Sequence, residues 1–178
     1  MDEMAADGKL GQWDDHHNAL DEYLSIDPSG YIMVYQATAQ NGKAVIVIDI
    51  KAEAVTEFMQ GLNLGDGSIV GFVTAGGREL AVKRNAGDEQ GTPVEGETIF
   101  ADKDFYLQAS ETDGVSQVQY NGTEYLFFHS KSEDTGATMC ALVPLKVITG
   151  QAESIKQITI AGVLISSIIA LLIGTAVT

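Results

Sequence analysis

Cysteine is almost absent from this chain: Cys140 stands alone among 178 residues. A lone cysteine excludes an intrachain disulfide, and within the apolar run around it the residue reads as a small packed hydrophobe. Basic residues are scarce too. There are 10 Lys and Arg against 25 Asp and Glu, a formal net charge of −15. Nucleic acid and anionic lipid headgroups both need a cationic surface, so neither is expected as a partner. Residues 1–27 lack an export signal, with Lys9 as their only basic residue and no apolar core segment. Catalytic patterning is missing as well. No Ser-His-Asp or Cys-His arrangement can be placed by spacing. The glycines at 61, 65, 67, 71, 76 and 77 form no phosphate loop, because no Lys-Ser/Thr follows them. The expectation is a protein that is not an enzyme and uses no cofactor.

What is present begins at the other end. Ile158 to Val177 carries no charged residue. A helix of about 20 such residues rises about 30 Å, the thickness of a bilayer's hydrocarbon core. The run therefore predicts a transmembrane helix over 158–178, preceded by a juxtamembrane helix over 145–157. Gly162, Ser166, Ala170 and Gly174 recur every four residues, a spacing that lets helices pack closely and predicts a homodimer contact. Two topologies remain open. The chain is a piece whose export segment lies upstream, with its soluble part outside the cytoplasm, or it is tail-anchored with that part in the cytosol. Lys146 and Lys156 on the near side of the span lean toward the second.

The soluble part reads as α+β. Trp13, Leu20 and Leu24 could give residues 1–27 one helical apolar face, and Asp27-Pro28-Ser29-Gly30 breaks it. Tyr31–Ala37 and Lys43–Ile50 are strand-like runs joined around Asn41-Gly42, a hairpin signal. The second run is apolar on both faces, which predicts a central strand covered on both sides. Val55, Phe58, Met59 and Leu62 follow helical spacing. Ser68–Thr74 and Arg78–Lys83 form the next hairpin, around Ala75-Gly76-Gly77. A polar, glycine-rich loop from Arg84 to Glu97 follows, then one or two helical turns within 100–109. Three more strands, Val115–Tyr120, Thr123–Ser130 and Thr138–Val143, complete the order, and Pro144 opens the last helix.

With these segments in place, a resemblance emerges. The strand Gly42–Lys51 with its Asp and the helix after it, the hairpin Ser68–Leu80, the strand 120–130, and the Thr-Gly turn at 135–136 leading to a strand that ends in Pro144 together resemble a double Cache domain. This PAS-like sensor belongs to bacterial transmembrane receptors, most often methyl-accepting chemotaxis proteins. The resemblance implies a PAS-like antiparallel sheet with flanking helices and one C-terminal transmembrane helix. It divides the chain into a helical or frayed remnant (1–30), the end of a membrane-distal module (31–65), a membrane-proximal module (66–144), the juxtamembrane helix and the span. The function implied is extracytoplasmic ligand sensing and transmembrane signalling. A histidine kinase or diguanylate cyclase sensor, or a tail-anchored protein with a cytosolic PAS-like interaction domain, is the alternative. The turn at 75–77 departs from the family, which usually shows an acidic residue before the glycine.

Asp49 carries the most chemistry. A carboxylate late in an apolar strand needs a cationic or hydrogen-bonding partner. It either caps the helix that starts near Ala52 or, as the resemblance implies, pairs with the amino group of an amino acid or another small metabolite. Tyr31 and Tyr35 alternate along the neighbouring strand and would line the same pocket, or pack as core tyrosines. Trp13-Asp14-Asp15-His16-His17 offers metal-ligand residue types, but sequence neighbours diverge in space, so no metal site is expected. His129 reads as a packed or edge residue of its strand.

Overall fold

A computed structural model describes residues 11–17, 19–38, 44–109 and 112–149. It is an α+β arrangement of two antiparallel sheets. The smaller sheet has three strands in the order β1-β2-β3: β1 (Gln12–Asp14), β2 (Tyr31–Thr38) and β3 (Val45–Lys51). A short helix α1 (Ala19–Leu24) and a single tight turn at Pro28–Gly30 lie between β1 and β2. Asp27 starts that turn by accepting from the Ser29 N–H at 2.9 Å, and Pro28 fits the first position because its missing N–H costs nothing there.

The larger sheet has six strands: β4 (Ile69–Val73), β5 (Glu79–Lys83), β6 (Thr92–Pro93), β7 (Gly114–Tyr120), β8 (Thr123–Lys131) and β9 (Thr138–Pro144). Their spatial order is β6-β5-β4-β9-β8-β7. The last strand in sequence, β9, thus lies in the middle, flanked by β4 and β8. An antiparallel sheet with few helices, and these laid against its faces, is consistent with a PAS-like sensor fold.

Period-two alternation sorts the strand residues between two cores. One face carries Ile69, Val73, Phe127, Cys140 and Leu142. It is covered by residues 99–106, with Phe100 fully buried. Gly71 makes this possible, since a Cβ there would lie 2.4 Å from the Phe100 ring. Glu79 ties the covering segment down: its carboxylate accepts from the N–H groups of Ile99, Phe100 and Ala101 at 2.9–3.3 Å. The short helix α3 (Asp104–Leu107) follows. The other face carries Val70 and Val82 beneath Met59 of helix α2 (Ala52–Gln60). A third cluster joins the sheets, packing Ile32 and Met33 of β2 with Ala52, Phe72, Leu80 and Ala137.

Several expectations need correction. The run 45–50 is not a central strand. β3 is the edge of the small sheet, and Val45, Ile46, Val47 and Ile48 are 38–55% exposed. Its apolar pattern is real, but no described element covers it. Residues 12–14 are strand rather than helix, Leu24 is exposed, and Trp13 packs at a tilt against Tyr35 instead of sharing a helical face with Leu20. Phe58 is 64% exposed because α2 begins at Ala52 and presents Ala52, Val55 and Met59 inward. Pro144 is the last residue of β9, and the helical residues 145–149 begin directly after it.

Among the described residues no helix is long and apolar enough to cross a membrane. The proposed span 158–178, with Gly162, Ser166, Ala170 and Gly174, lies outside the described residues, as do 150–157 and the Asn41-Gly42 turn.

Candidate functional site

The turn between β4 and β5 is where the two sheets are joined by polar contacts. Arg78 closes it and reaches across to the small sheet. Its Nη1 donates to the Asp15 carbonyl at 2.7 Å, and its Nη2 donates to the carbonyls of Pro28 at 2.7 Å and Tyr31 at 2.8 Å. A guanidinium suits this task because its donors are fixed in a planar fork. Thr74, at the other end of the turn, donates its hydroxyl to Asp15 Oδ2 at 2.8 Å and accepts from the Arg78 N–H at 2.9 Å. The Asp15 carboxylate is buried and lies directly over Gly76, where a Cβ would meet Oδ2 at 2.1 Å. The absence of a side chain at Gly76 leaves room for this carboxylate.

Beside this clamp lies a second network. His17 is buried with both ring nitrogens facing carboxylates: Nδ1 is 2.7 Å from Asp21 Oδ1 and Nε2 is 2.6 Å from Asp49 Oδ1. Two acceptors demand two N–H donors, which only the imidazolium form provides. Burial works against that charge, but the hydrogen bonds and charges of Asp21 and Asp49 outweigh it and hold the His17 pKa above its ordinary value. Burial likewise opposes the Asp21 carboxylate, while the Tyr31 hydroxyl and His17 stabilise it and bring its pKa down. Tyr31 donates its hydroxyl to Asp21 Oδ2 and accepts from the His17 N–H at 3.2 Å. Burial, with the Asp21 hydrogen bond adding to it, pushes the Tyr31 phenol up to about 12.

The three residues singled out for ligand binding therefore part company. Asp49 is bonded to His17, and it does not cap α2, whose cap position is Lys51 with no side-chain cap bond. Tyr31 joins the same network. Tyr35 does not, because the β2–β3 register slips between Tyr31 and Met33. The extra residue of this bulge reverses the alternation. Tyr31 falls in step with Lys51 and Asp49, while Tyr35, paired with Ile48, packs against Trp13 at 5.3 Å. A bulge has no reliable mark in the sequence, so plain alternation placed both tyrosines together.

A cavity of about 420 Å³ opens on the other side of the same turn. Thr74 and Ala75 of the turn, Tyr106 and Leu107 of α3, His129 and Lys131 of β8, and Thr138 of β9 line it. His129 is 8% exposed, stacked on Phe127 at 5.3 Å, and neither ring nitrogen has a hydrogen-bond partner. Its packing agrees with its reading as a strand residue. Its unpaired nitrogens were not foreseeable, because hydrogen-bond satisfaction is a property of the assembled sheet. Cys140 offers no nucleophile: burial pushes its thiol up to about 12. Among the described residues no group of three or more His, Cys, Asp or Glu could hold a metal ion.

No protein-family model matches the sequence, and no curated protein matches it. Among solved structures, the chain is similar to the extracellular domain of rpHK1S-Z16, described provisionally as a histidine kinase. The TM-score is 0.44 at 17% identity, over 66% of this chain and 48% of that one. The chain thus spans about half the length of that domain.

Proposed function

We propose that this chain is the extracytoplasmic ligand-sensing part of a bacterial transmembrane receptor of the chemoreceptor kind, held in the membrane by its C-terminal apolar run and working as a homodimer. The observation that carries the reading is the course of β9. At one end Thr138 lines the cavity; at the other Pro144 passes straight into the helical residues 145–149, on the way to the apolar run. A strand central to a sheet is held on both sides, so a shift at its start is delivered to its end rather than absorbed. Val147 supports this exit, since a Cβ at Gly65 would lie 2.4 Å from its Cγ1. A helix from Leu145 to Val177 would be about 50 Å long at 1.5 Å per residue, enough to carry a small displacement through a bilayer.

The turn beside the cavity provides a second route. Thr74 contacts both the cavity and Asp15, so occupancy is felt at the clamp that joins the sheets. A ligand signals only by favouring one of two arrangements. The Asp49 network, on this reading, either receives an amine-bearing ligand in place of His17 or holds the small sheet in register for it.

Thermal melting of the full chain in nanodiscs, with amino acids, short organic acids and amines added class by class, tests the reading. A sensor has at least one class that raises the melting midpoint. A flat response to all three contradicts sensing.

A further inference from the structure

We propose that the cavity beneath the β4–β5 turn is a binding site for a short-chain carboxylate, with His129 and Lys131 receiving the carboxylate and Ala75, Leu107 and Ala109 receiving its apolar tail; this deepens the sensor reading and rests on it.

Buried polar groups are nearly always paired, because an unpaired one forfeits its hydration. His129, a residue of the cavity wall, breaks that rule: both nitrogens are buried and unpartnered, and the Cε1 edge of the ring between them lies over Gly114 of β7. One imidazole nitrogen carries hydrogen in either protonation state, so the ring always has a donor to give. Lys131 lies two residues further along β8 on the same face. It also lines the cavity and has no ion-pair partner among the described residues. Tyr106 and Thr138 hydroxyls, 3.4 Å apart on the same wall, add donors that can turn toward an oxygen.

The charge of the site points to an anion. The chain carries −15 overall, yet no described residue lining this cavity is acidic, and one is a lysine. The apolar part of the wall, Ala75, Leu107 and Ala109, favours a carboxylate with a hydrocarbon tail over inorganic phosphate. Gly114 of β7 covers the His129 nitrogens. A carboxylate in the cavity can therefore reach them only when the ring turns away from Gly114. Binding is thereby coupled to movement next to Thr74 and Thr138, where the sensor reading needs it.

The test is calorimetric titration of the full chain in nanodiscs with butyrate, acetate, inorganic phosphate and butylamine. Butyrate binds, acetate binds more weakly, and butylamine does not bind. Lys131→Met, an exposed change that leaves the core intact, weakens butyrate about fivefold. His129→Phe, which keeps the stacked ring and removes the nitrogens, weakens it about tenfold or more. Tighter binding of phosphate than butyrate, or butyrate affinity unchanged in both variants, overturns the proposal. A chain that responds to butylamine or amino acids but not to butyrate is still a sensor, with this site assignment refuted. A chain that responds to none loses the sensor reading as well.

Discussion

Arg78 and Tyr31, 47 residues apart, meet twice: the guanidinium donates to the Tyr31 carbonyl at 2.8 Å, and its carbon lies 5.2 Å from the centre of the Tyr31 ring. One side chain thus holds both the main chain and the aromatic ring at the start of β2, from a turn that belongs to the other sheet. The chain has two arginines, and each gathers several main-chain carbonyls. Arg84, buried, donates to the carbonyls of Gln60, Leu62, Asp88 and Glu89 and so fixes the end of α2.

Arg78→Met should loosen the junction without emptying either core. Three carbonyls lose a charged donor, a cost of roughly 2–3 kcal/mol. The melting midpoint should fall by about 5–10 °C. Hydrogen exchange should rise in residues 12–17 and 28–33 more than in β8 and β9. Uniform loss of protection across both sheets would show that the junction is not a separate unit.

The His17 network predicts a pH dependence whose sign follows from its shifts. His17 has a native pKa raised above 6.5. Its contribution is therefore complete below 6.5 and is lost as pH rises through the raised value. Asp21 is lowered from 3.8, so its contribution is complete above 3.8 and is lost as pH falls through the lowered value. The melting midpoint should be highest between these limits and decline on the alkaline side. In His17→Gln the alkaline decline should flatten. An identical slope in the variant would refute the role given to His17.

Gly65 has a φ of +93° and faces Val147. Gly65→Ala adds backbone strain and a 2.4 Å clash with a stiff branched side chain. We expect a loss of roughly 2 kcal/mol. Val147→Ala in the same chain should recover the steric part, giving a coupling of about 1 kcal/mol in a double-mutant cycle. Strict additivity would mean that the exit helix does not rest on this glycine.

Glu79→Gln should free the segment that covers the larger core. One amide oxygen cannot replace a carboxylate that accepts from three consecutive N–H groups. Limited proteolysis should cut near residues 99–103 faster, with the overall fold retained. Unchanged cleavage would assign the hold to Phe100 alone.

Much of this architecture was legible in the sequence. The strands of the larger sheet and its hairpins follow from alternation and turn residues, as at Asn121-Gly122, where both residues take positive φ. Alternation cannot report what lies over a strand, so β3 reads as a covered central strand and is found at an edge. Nor can it foresee a bulge, so it puts Tyr31 and Tyr35 on one face where the structure separates them. The place of Asp49 in an apolar strand demands a partner. The partner, His17, comes from 32 residues upstream, in a run whose residue types suggest only metal ligands. Arg78 gave one faint signal, a rare arginine placed after two glycines in an acidic chain.

The central claim is that the soluble part senses its ligand outside the cytoplasm, and cysteine labelling in intact cells tests it most directly. The natural chain supplies its own control, since its only thiol, Cys140, is buried. Ala86→Cys places a second thiol on an exposed turn. A membrane-impermeant maleimide should label this variant in intact cells, as efficiently as after permeabilisation, and leave the natural chain unlabelled. Labelling of Ala86→Cys only after permeabilisation would place the domain in the cytosol and contradict the account.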